Sequence, residues 1–473
     1  MPTSRTKLIA TIGPATDRPE TIHALVEAGT TVFRVNFAHG SAAEQAARIA
    51  RIRQIEAERG ATFAILADLP GPKVRLGALS SPSIRLRTGQ RFNLDSGGPA
   101  GDETGAPVTY QALSADVRPG DRILLADGAV DLIVRKIEQR VVMTEVVRGG
   151  DIRPGVGVNI PADRLSLPAI TDRDRDGLTR ALGCGVDFVG QSFVRDPADI
   201  EALRALMTDR SVPIVAKIET RPAAEKADRI MEVADAVMVA RGDLGVEMPL
   251  EDIPILQKEL LAAARIRGIP GIVATQMLES MIRAPRPTRA EASDVANAVL
   301  DGADAIMLSA ETAVGEYPAL AAETAVRIAA AAEERAGRFR LTHSACRHTG
   351  EAAAVAHAAA QVAAEDPDVV AIAAYTESGL TAQLLSAERP GVDTFAFSPH
   401  AEVRRRLSLR WGVHPLPTVD PDDTDSMIES MDRGLRDAGV AREGDVVVIV
   451  ASSPAGRAKT NMLKVHHVGS PVR

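Results

Sequence analysis

The chain has 473 residues, 45 % of them apolar, and a net charge of −8 from 55 basic and 63 acidic residues. Its length suits about three domains, and it shows no apolar run near the ~18 residues of a membrane span, no secretory leader and no basic stripe, which argues against membrane and nucleic-acid partners. Its two cysteines, Cys184 and Cys346, are far apart and lack metal-ligand spacing, which points to a reducing, cytoplasmic compartment and away from a disulfide scaffold or zinc site.

In chain order, short apolar runs alternate with Ala/Glu/Arg-rich stretches of helical period. The runs are "KLIATIG" (7–13), "VFRVNF" (32–37), "FAILAD" (63–68), "FVGQSF" (188–193), "PIVAKIE" (213–219), "AVMVARG" (236–242), "GIVATQ" (271–276) and "AIMLSAET" (305–312). Eight strands alternating with helices predict a parallel (β/α)8 barrel. The rhythm breaks once. Residues 72–168 are rich in Gly, Pro, Thr and Val and carry strand-like runs such as "DRILLADGAVDLIVRKI", so they read as an all-β domain inserted after strand three. Residues 1–71 and 169–340 together approach the ~250 residues of such a barrel. Residues 341–473 hold "VVAIAAYT", "DTFAFS" and "DVVVIVAS" and read as a separate C-terminal α/β domain.

Active sites of such barrels lie at the C-terminal ends of the strands. Those ends carry Arg34 and Asn36, Asp68, Ser192, Lys217 and Glu219, Arg241 and Asp243, Thr275, then Ser309 and Glu311. In "PIVAKIET" (213–220), Lys217 and Glu219 are two apart and share one face of a strand. Only eight of the basic residues are lysines, so a lysine inside an apolar strand is a specific choice of compact point charge. Glu219 and Asp243, on adjacent strands without histidine or thiolate, suit a hard ion such as Mg2+. They equally suit an ion-pair network with Lys217 or Arg241. Gly242 and Gly245 in "ARGDLGVE" would let backbone N–H groups approach an anion at a strand-to-helix turn. Lys217 and Arg34 could stabilise negative charge developing on a phosphoryl group or an enolate, or simply balance the carboxylates. Thr275 could bond its own backbone or donate to substrate.

Nine stretches carry a family resemblance, among them "TKLIATIGPAT", "VFRVNFAHG", "DLPGPKVRLG", "VAKIET", "MVARGDLGVEMP" and, most specific, residues 273–318. The chain resembles pyruvate kinase nearly end to end. The resemblance implies a barrel with a mobile β lid and a C-terminal regulatory domain. It implies Mg2+-dependent (or Mn2+-dependent) phosphoryl transfer from phosphoenolpyruvate to ADP, giving pyruvate and ATP, in a cytoplasmic homotetramer. It assigns Glu219 and Asp243 to the metal and Lys217 to the phosphoryl group and enolate. Arg34, Gly242, Asp243 and Thr275 become substrate contacts. Thr275 and Ser309 fall on the route that protonates the enolate, and Asn36, His39 and Arg75 on the nucleotide side. Thr376, Ser378, Gly379 and Thr381 in "TESGLT" match a loop that binds sugar-phosphate or nucleotide effectors; capping by Ser378 is the plainer reading.

Two departures from the family pattern matter. The pocket that holds K+ in many members keeps Asn36, Asp68 and the backbone carbonyl at Leu69, but its serine is Ala38. Where K+-dependent members carry a glutamate, this chain has Lys73. A tethered ammonium there could replace the ion, so activity without K+ is expected. Val156 stands where some members place a nucleotide-contacting lysine. Two other functions fit a similar barrel: a metal-dependent lyase or aldolase acting through a pyruvate enolate, and a non-catalytic metabolite-binding protein. Retention of Lys217, Glu219, Asp243 and Thr275 together speaks against the second.

Overall fold

Side-chain alternation along parallel strands is what gathers the polar residues in one place. A computed structural model describes residues 4–161, 165–336, 349–453 and 459–471. Eight strands, Lys7–Ile12, Thr30–Asn36, Ala64–Asp68, Phe188–Gln191, Ile214–Ile218, Ala236–Ala240, Gly271–Ala274 and Ala305–Leu308, close into a barrel. Each pairs in parallel with its neighbours, and the first closes on the eighth. Ile9, Val32, Leu66, Val215, Met238, Ile272 and Met307 form one buried cluster inside it. Leu409 from the C-terminal region joins that cluster, and the Ser408 carbonyl accepts a hydrogen bond from Thr31 at the start of strand two. The C-terminal unit therefore closes the N-terminal end of the barrel. Two residues beyond Ile9, Val32, Leu66 and Val215 come Thr11, Arg34, Asp68 and Lys217, so alternation turns all four inward at the other mouth.

Lys7 occupies the opposite end of the same inward row and is 3 % exposed. Burial pushes its ammonium down to about 8, with Asp393 and Glu333 opposing the shift. Because the folded value lies below the ordinary 10.5, the unfolded chain holds this proton more tightly. The stability cost is full below the folded value and is relieved as pH rises from about 8 to 10.5. Lys7→Met is expected to raise stability near neutral pH by about 3 kcal/mol and to flatten this alkaline rise. Calorimetric unfolding at neutral and alkaline pH checks it; a lower neutral Tm would reject the account.

After strand three the chain leaves the barrel and builds a six-stranded sheet and a two-stranded sheet around their own core, with Phe92, Leu94, Ile123, Leu125, Leu132 and Val142 fully buried. It re-enters the barrel through helix Asp172–Gly183, whose N-terminus is closed by a Thr171–Asp174 capping box. The C-terminal α/β unit holds a five-stranded sheet, two strands more than its apolar runs predict. The extra strands, Val413–Pro417 and Met462–His467, are the two edges of that sheet. An edge tolerates the prolines of "VHPLP" and the polar "KVHH", which hides such strands from a hydrophobic pattern. Among the described residues no helix is long and apolar enough to cross a membrane. Cys184 is a half-buried free thiol, while Cys346 and the domain boundary expected near residue 340 lie outside the described residues.

Most of the apolar runs end as strands sooner than their sequence suggests, and Ser192 and Glu219 lie just past strands that stop at Gln191 and Ile218. Strand six stops at Ala240, and Arg241–Glu247 is a short helix containing Gly242, Asp243 and Gly245. Strand eight stops at Leu308, and Glu311 lies in helix Ala310–Ala313. Strand seven stops at Ala274. Arg241, Asp243 and Glu311 thus stand on short helices beyond the strands, and Thr275 on the turn after strand seven. The barrel ladder ends where its neighbours end, and the chain then bends across the mouth.

Candidate active site

The mouth holds a charged cleft of about 480 Å³ lined by Arg34, Asn36, His39, Asp68, Lys73, Arg75, Lys217 and Asp243, among others. Arg34 donates from Nε and Nη2 to Asp68 Oδ2, at 2.8 and 2.6 Å, and from Nη1 to Thr11 Oγ1 at 3.0 Å. Lys217 Nζ donates to Ser192 Oγ at 2.6 Å and lies 3.3 Å from Glu219 Oε2 and 3.5 Å from Asp68 Oδ1. Ser192 passes the bond on to the Leu69 carbonyl at 2.7 Å. Burial alone would lower the Lys217 pKa, but Asp68 and Glu219 outweigh it and hold the ammonium above its ordinary value. Burial likewise opposes ionisation of Asp68, and Lys217 and Arg34 overcome it, so its carboxyl is held low. The cations here are fixed and charged.

Glu219 is the exception to this balance. Oε1 accepts the Phe193 backbone N–H at 2.7 Å, but the buried Oε2 has no hydrogen-bond donor. Burial pushes its pKa up to about 7; Lys217 pulls it down, and the nearby Asp243 charge pushes it up again. Asp68 Oδ1 is also buried without a donor. Lys217 offsets part of this charge, but it is shared between Asp68 and Glu219, and Glu219 also feels the charge of Asp243, so negative charge remains that a further cation would balance. This all-oxygen donor set fits a hard divalent ion. Among the described residues no group of three or more His, Cys, Asp or Glu is arranged for a metal, so protein would supply only part of the coordination and substrate oxygens and water the rest.

Asp243 Oδ1 accepts from Lys73 Nζ at 2.9 Å, and the same ammonium lies 3.9 Å from Asp127 of the β insertion. Lys73 therefore lines the cleft with Asn36, Asp68 and Leu69, its ion-pair partners being the two aspartates. Asn36 Oδ1 accepts the Ala38 N–H at 2.8 Å. His39 is held below its ordinary pKa by burial and then by Arg75, Arg173 and Arg34. Arg75 donates to the Gly155 carbonyl at 2.9 Å, and Arg173 to the Ala38 carbonyl at 2.6 Å. Val156 packs partly buried against the core of the β insertion.

Thr275 and Gln276 both have left-handed backbones, with φ of 71° and 55°. For a β-branched residue this is a true outlier, costing of order 1–3 kcal/mol. The Thr275 hydroxyl donates to the Ala274 carbonyl at 2.6 Å and accepts the Gly242 N–H at 2.8 Å. It thus bonds backbone, one of the two arrangements open from sequence. Ser309 donates its N–H to Glu311 Oε2 at 2.7 Å, and Glu311 Oε1 accepts the Leu278 N–H at 3.1 Å. In the C-terminal unit Gly379, with φ of 90°, caps helix Leu380–Glu388, while the exposed Ser378 hydroxyl accepts the Leu380 N–H at 3.4 Å. Thr376 Oγ1 accepts the Gly379 N–H, and the Thr381 hydroxyl meets that of Thr460.

Arg173, Thr11 and Phe193 also serve this site, although their residue types do not mark them. Arg173 sits inside "TDRDRD", where nothing separates it from a solvated helix face. Thr11 follows the inward row of strand one, so strict alternation would have found it. Phe193 contributes a backbone N–H, which no side-chain pattern reports.

A closed parallel barrel with two carboxylates, a buried ammonium and several guanidiniums at its mouth, under a β insertion, is an enzyme architecture for anionic, phosphate-bearing substrates. The family model for the pyruvate kinase barrel domain matches residues 3–322, and that for the pyruvate kinase alpha/beta domain matches 353–466. A pyruvate kinase of Mycobacterium tuberculosis is 42 % identical over 471 residues, covering 99 % of both chains. Pyruvate kinase 2 of Synechocystis is also 42 % identical, over 98 % of this chain and 79 % of its own. A crystal structure of a pyruvate kinase from Cryptosporidium parvum superposes with a TM-score of 0.91 at 32 % identity, covering 98 % of this chain and 96 % of that one. The chain belongs to the pyruvate kinase family. It is a phosphotransferase, and membership implies a divalent-metal requirement. The lyase alternative finds no support among these relatives.

Proposed function

We propose that this enzyme transfers the phosphoryl group of phosphoenolpyruvate to ADP with Mg2+ (or Mn2+) as its divalent ion and without a requirement for K+. The observation that carries the reading is the Lys217 ammonium, buried and charged between Asp68 and the orphaned Glu219 oxygen. Glu219 and Asp243 would hold the divalent ion, which when bound supplies positive charge to the phosphoryl and enolate oxygens. Lys217 is placed to neutralise the transferring phosphoryl group and then the enolate oxygen. Asp68 and Thr11 orient Arg34 toward the phosphate. Gly242 and Asp243 contact the substrate from the short helix after strand six. Asn36, His39 and Arg75 form the nucleotide side, with Arg173 as a further cation beside His39. Thr275 and Ser309 handle the proton that the enolate takes up at its methylene carbon.

Lys73 supports independence from K+. It lines the same cleft as Asn36, Asp68 and Leu69, and its ammonium bonds Asp243; this tethered charge would serve the cleft in place of K+. Initial rates with ADP, phosphoenolpyruvate and Mg2+ are expected to agree within about twofold in K+, Na+ and tetramethylammonium salts at equal ionic strength. Lys73→Glu should lose most activity and regain it specifically with K+. A large K+-specific rise in the wild type would refute this.

A homotetramer in the cytoplasm is the setting the family resemblance suggests. An apolar groove formed by Ala292, Ala296, Leu300, Ile328 and Ala331 is a surface of the kind a second copy would cover. The loop of Thr376, Ser378, Gly379 and Thr381 is the proposed sugar-phosphate or nucleotide effector site.

A further inference from the structure

Strand six and the helix after it meet at Arg241, whose guanidinium does not face the cleft. Its Nη2 donates to the Thr275 carbonyl at 2.8 Å and contacts Met277 Sδ at 2.9 Å. Its Nη1 donates to Asp294 Oδ1 at 2.6 Å and lies 3.4 Å from Gln257 Oε1. The arginine side chain is 12 % exposed and that of Asp294 33 %, so a half-buried carboxylate holds a largely buried guanidinium and fixes its fork. The fork grips the two residues that flank Gln276, across the left-handed turn. The other side of the turn is held by Gly242 N–H on the Thr275 hydroxyl and by Glu311 on the Leu278 N–H. A β-branched residue keeps a left-handed backbone only where its surroundings over-determine it, and the Arg241 bond is the charge-assisted one made to the Thr275 carbonyl itself.

We infer that Arg241, locked by Asp294, is a positioning residue that holds Thr275 in its left-handed conformation and thereby sets the rate at which the enolate is protonated. The inference rests on the proton-handling role given to Thr275 above. In that step a C–H bond forms at the enolate's methylene carbon, an O–H bond of the Thr275 hydroxyl or of a water it orients breaks, and the enolate oxygen becomes the ketone of pyruvate. The hydroxyl regains its proton from solvent. Phosphoryl transfer uses Lys217, Arg34 and the metal carboxylates, none of which bonds to Arg241 or Asp294, so loosening the turn should separate the two steps.

The test compares two rates in Asp294→Ala, Arg241→Lys and Thr275→Ala with the wild type. One is exchange of pyruvate methyl hydrogens with deuterium oxide in the presence of Mg2+ and ATP, followed by NMR. The other is single-turnover ATP formation from phosphoenolpyruvate and ADP. Arg241→Lys keeps the charge but cannot span Asp294 and the Thr275 carbonyl together. In it and in Asp294→Ala, exchange is expected to fall about 10–100-fold, with ATP formation within about threefold of wild type. Wild-type exchange in both, alongside a loss in Thr275→Ala, overturns the inference and leaves the role of Thr275 standing. Equal loss of both rates with a lower Tm also overturns it, since that is what general loosening would produce. Wild-type exchange in Thr275→Ala removes the role of Thr275 and the inference with it. Should Asp294→Ala not fold, Arg241→Lys carries the comparison.

Discussion

Lys217→Met is expected to lower kcat at least about a thousandfold, because it removes the buried ammonium placed to neutralise the reacting group. The methionine fills similar space but cannot donate to Ser192 Oγ or balance Asp68 and Glu219. Asp68 then keeps Arg34 as its cation, and Glu219 loses its ion-pair partner. Breaking a buried pair in this way costs about 3–5 kcal/mol, so Tm should fall as well. Added Mg2+ should recover part of that Tm, since the ion supplies charge near Glu219, but should not recover kcat. Steady-state kinetics and calorimetry with and without Mg2+ separate the two effects. Turnover near the wild-type rate would remove Lys217 from the mechanism even with the overall reaction intact.

The second large effect concerns the metal. Glu219→Gln replaces an orphaned, buried carboxylate with an amide of the same shape. The Mg2+ concentration needed for half-maximal rate should rise about 10–100-fold, since the hard ion loses one of its two anionic ligands. The metal-free protein should behave in the opposite sense. Glu219 is buried beside Asp243, and burial already raises its carboxyl to about 7, so its removal should leave Tm at least as high as in the wild type. In the wild type, Mg2+ binding to the folded state alone should raise Tm, and the variant should lose most of that rise. Unfolding scans over a Mg2+ series give both readings. A variant that is destabilised without metal yet still gains fully from Mg2+ would place the ion elsewhere.

These two residues show how far the primary structure carries. The barrel was legible because each of its strands is a short apolar run between amphipathic helices, and hydrophobic period is a local property. Lys217 and Glu219 were legible for the same reason: a lysine and a glutamate two apart at the end of an apolar run must share a face. The two edge strands of the C-terminal sheet were not, because an edge needs neither a continuous apolar run nor freedom from proline. Arg241 falls inside an apolar run that reads as strand to Gly242, because nothing local marks where a ladder runs out of neighbours to pair with.

By itself, the amino-acid order determined which residue types stand at the strand ends and on which face. It also determined that a lysine, Lys73, and an alanine, Ala38, stand in the loops beyond strands three and two. Only the closed barrel decided which charges meet. Arg34 and Asp68 are 34 positions apart and Lys73 and Asp243 are 170 apart, and no periodicity relates them. The fork of Arg241 on Thr275 and Asp294 likewise exists only because strands six and seven lie side by side and the helix bearing Asp294 packs beyond them. Local pattern follows from backbone geometry within a few residues. Pairing of charges depends on burial and distance, which exist only once the chain has closed on itself.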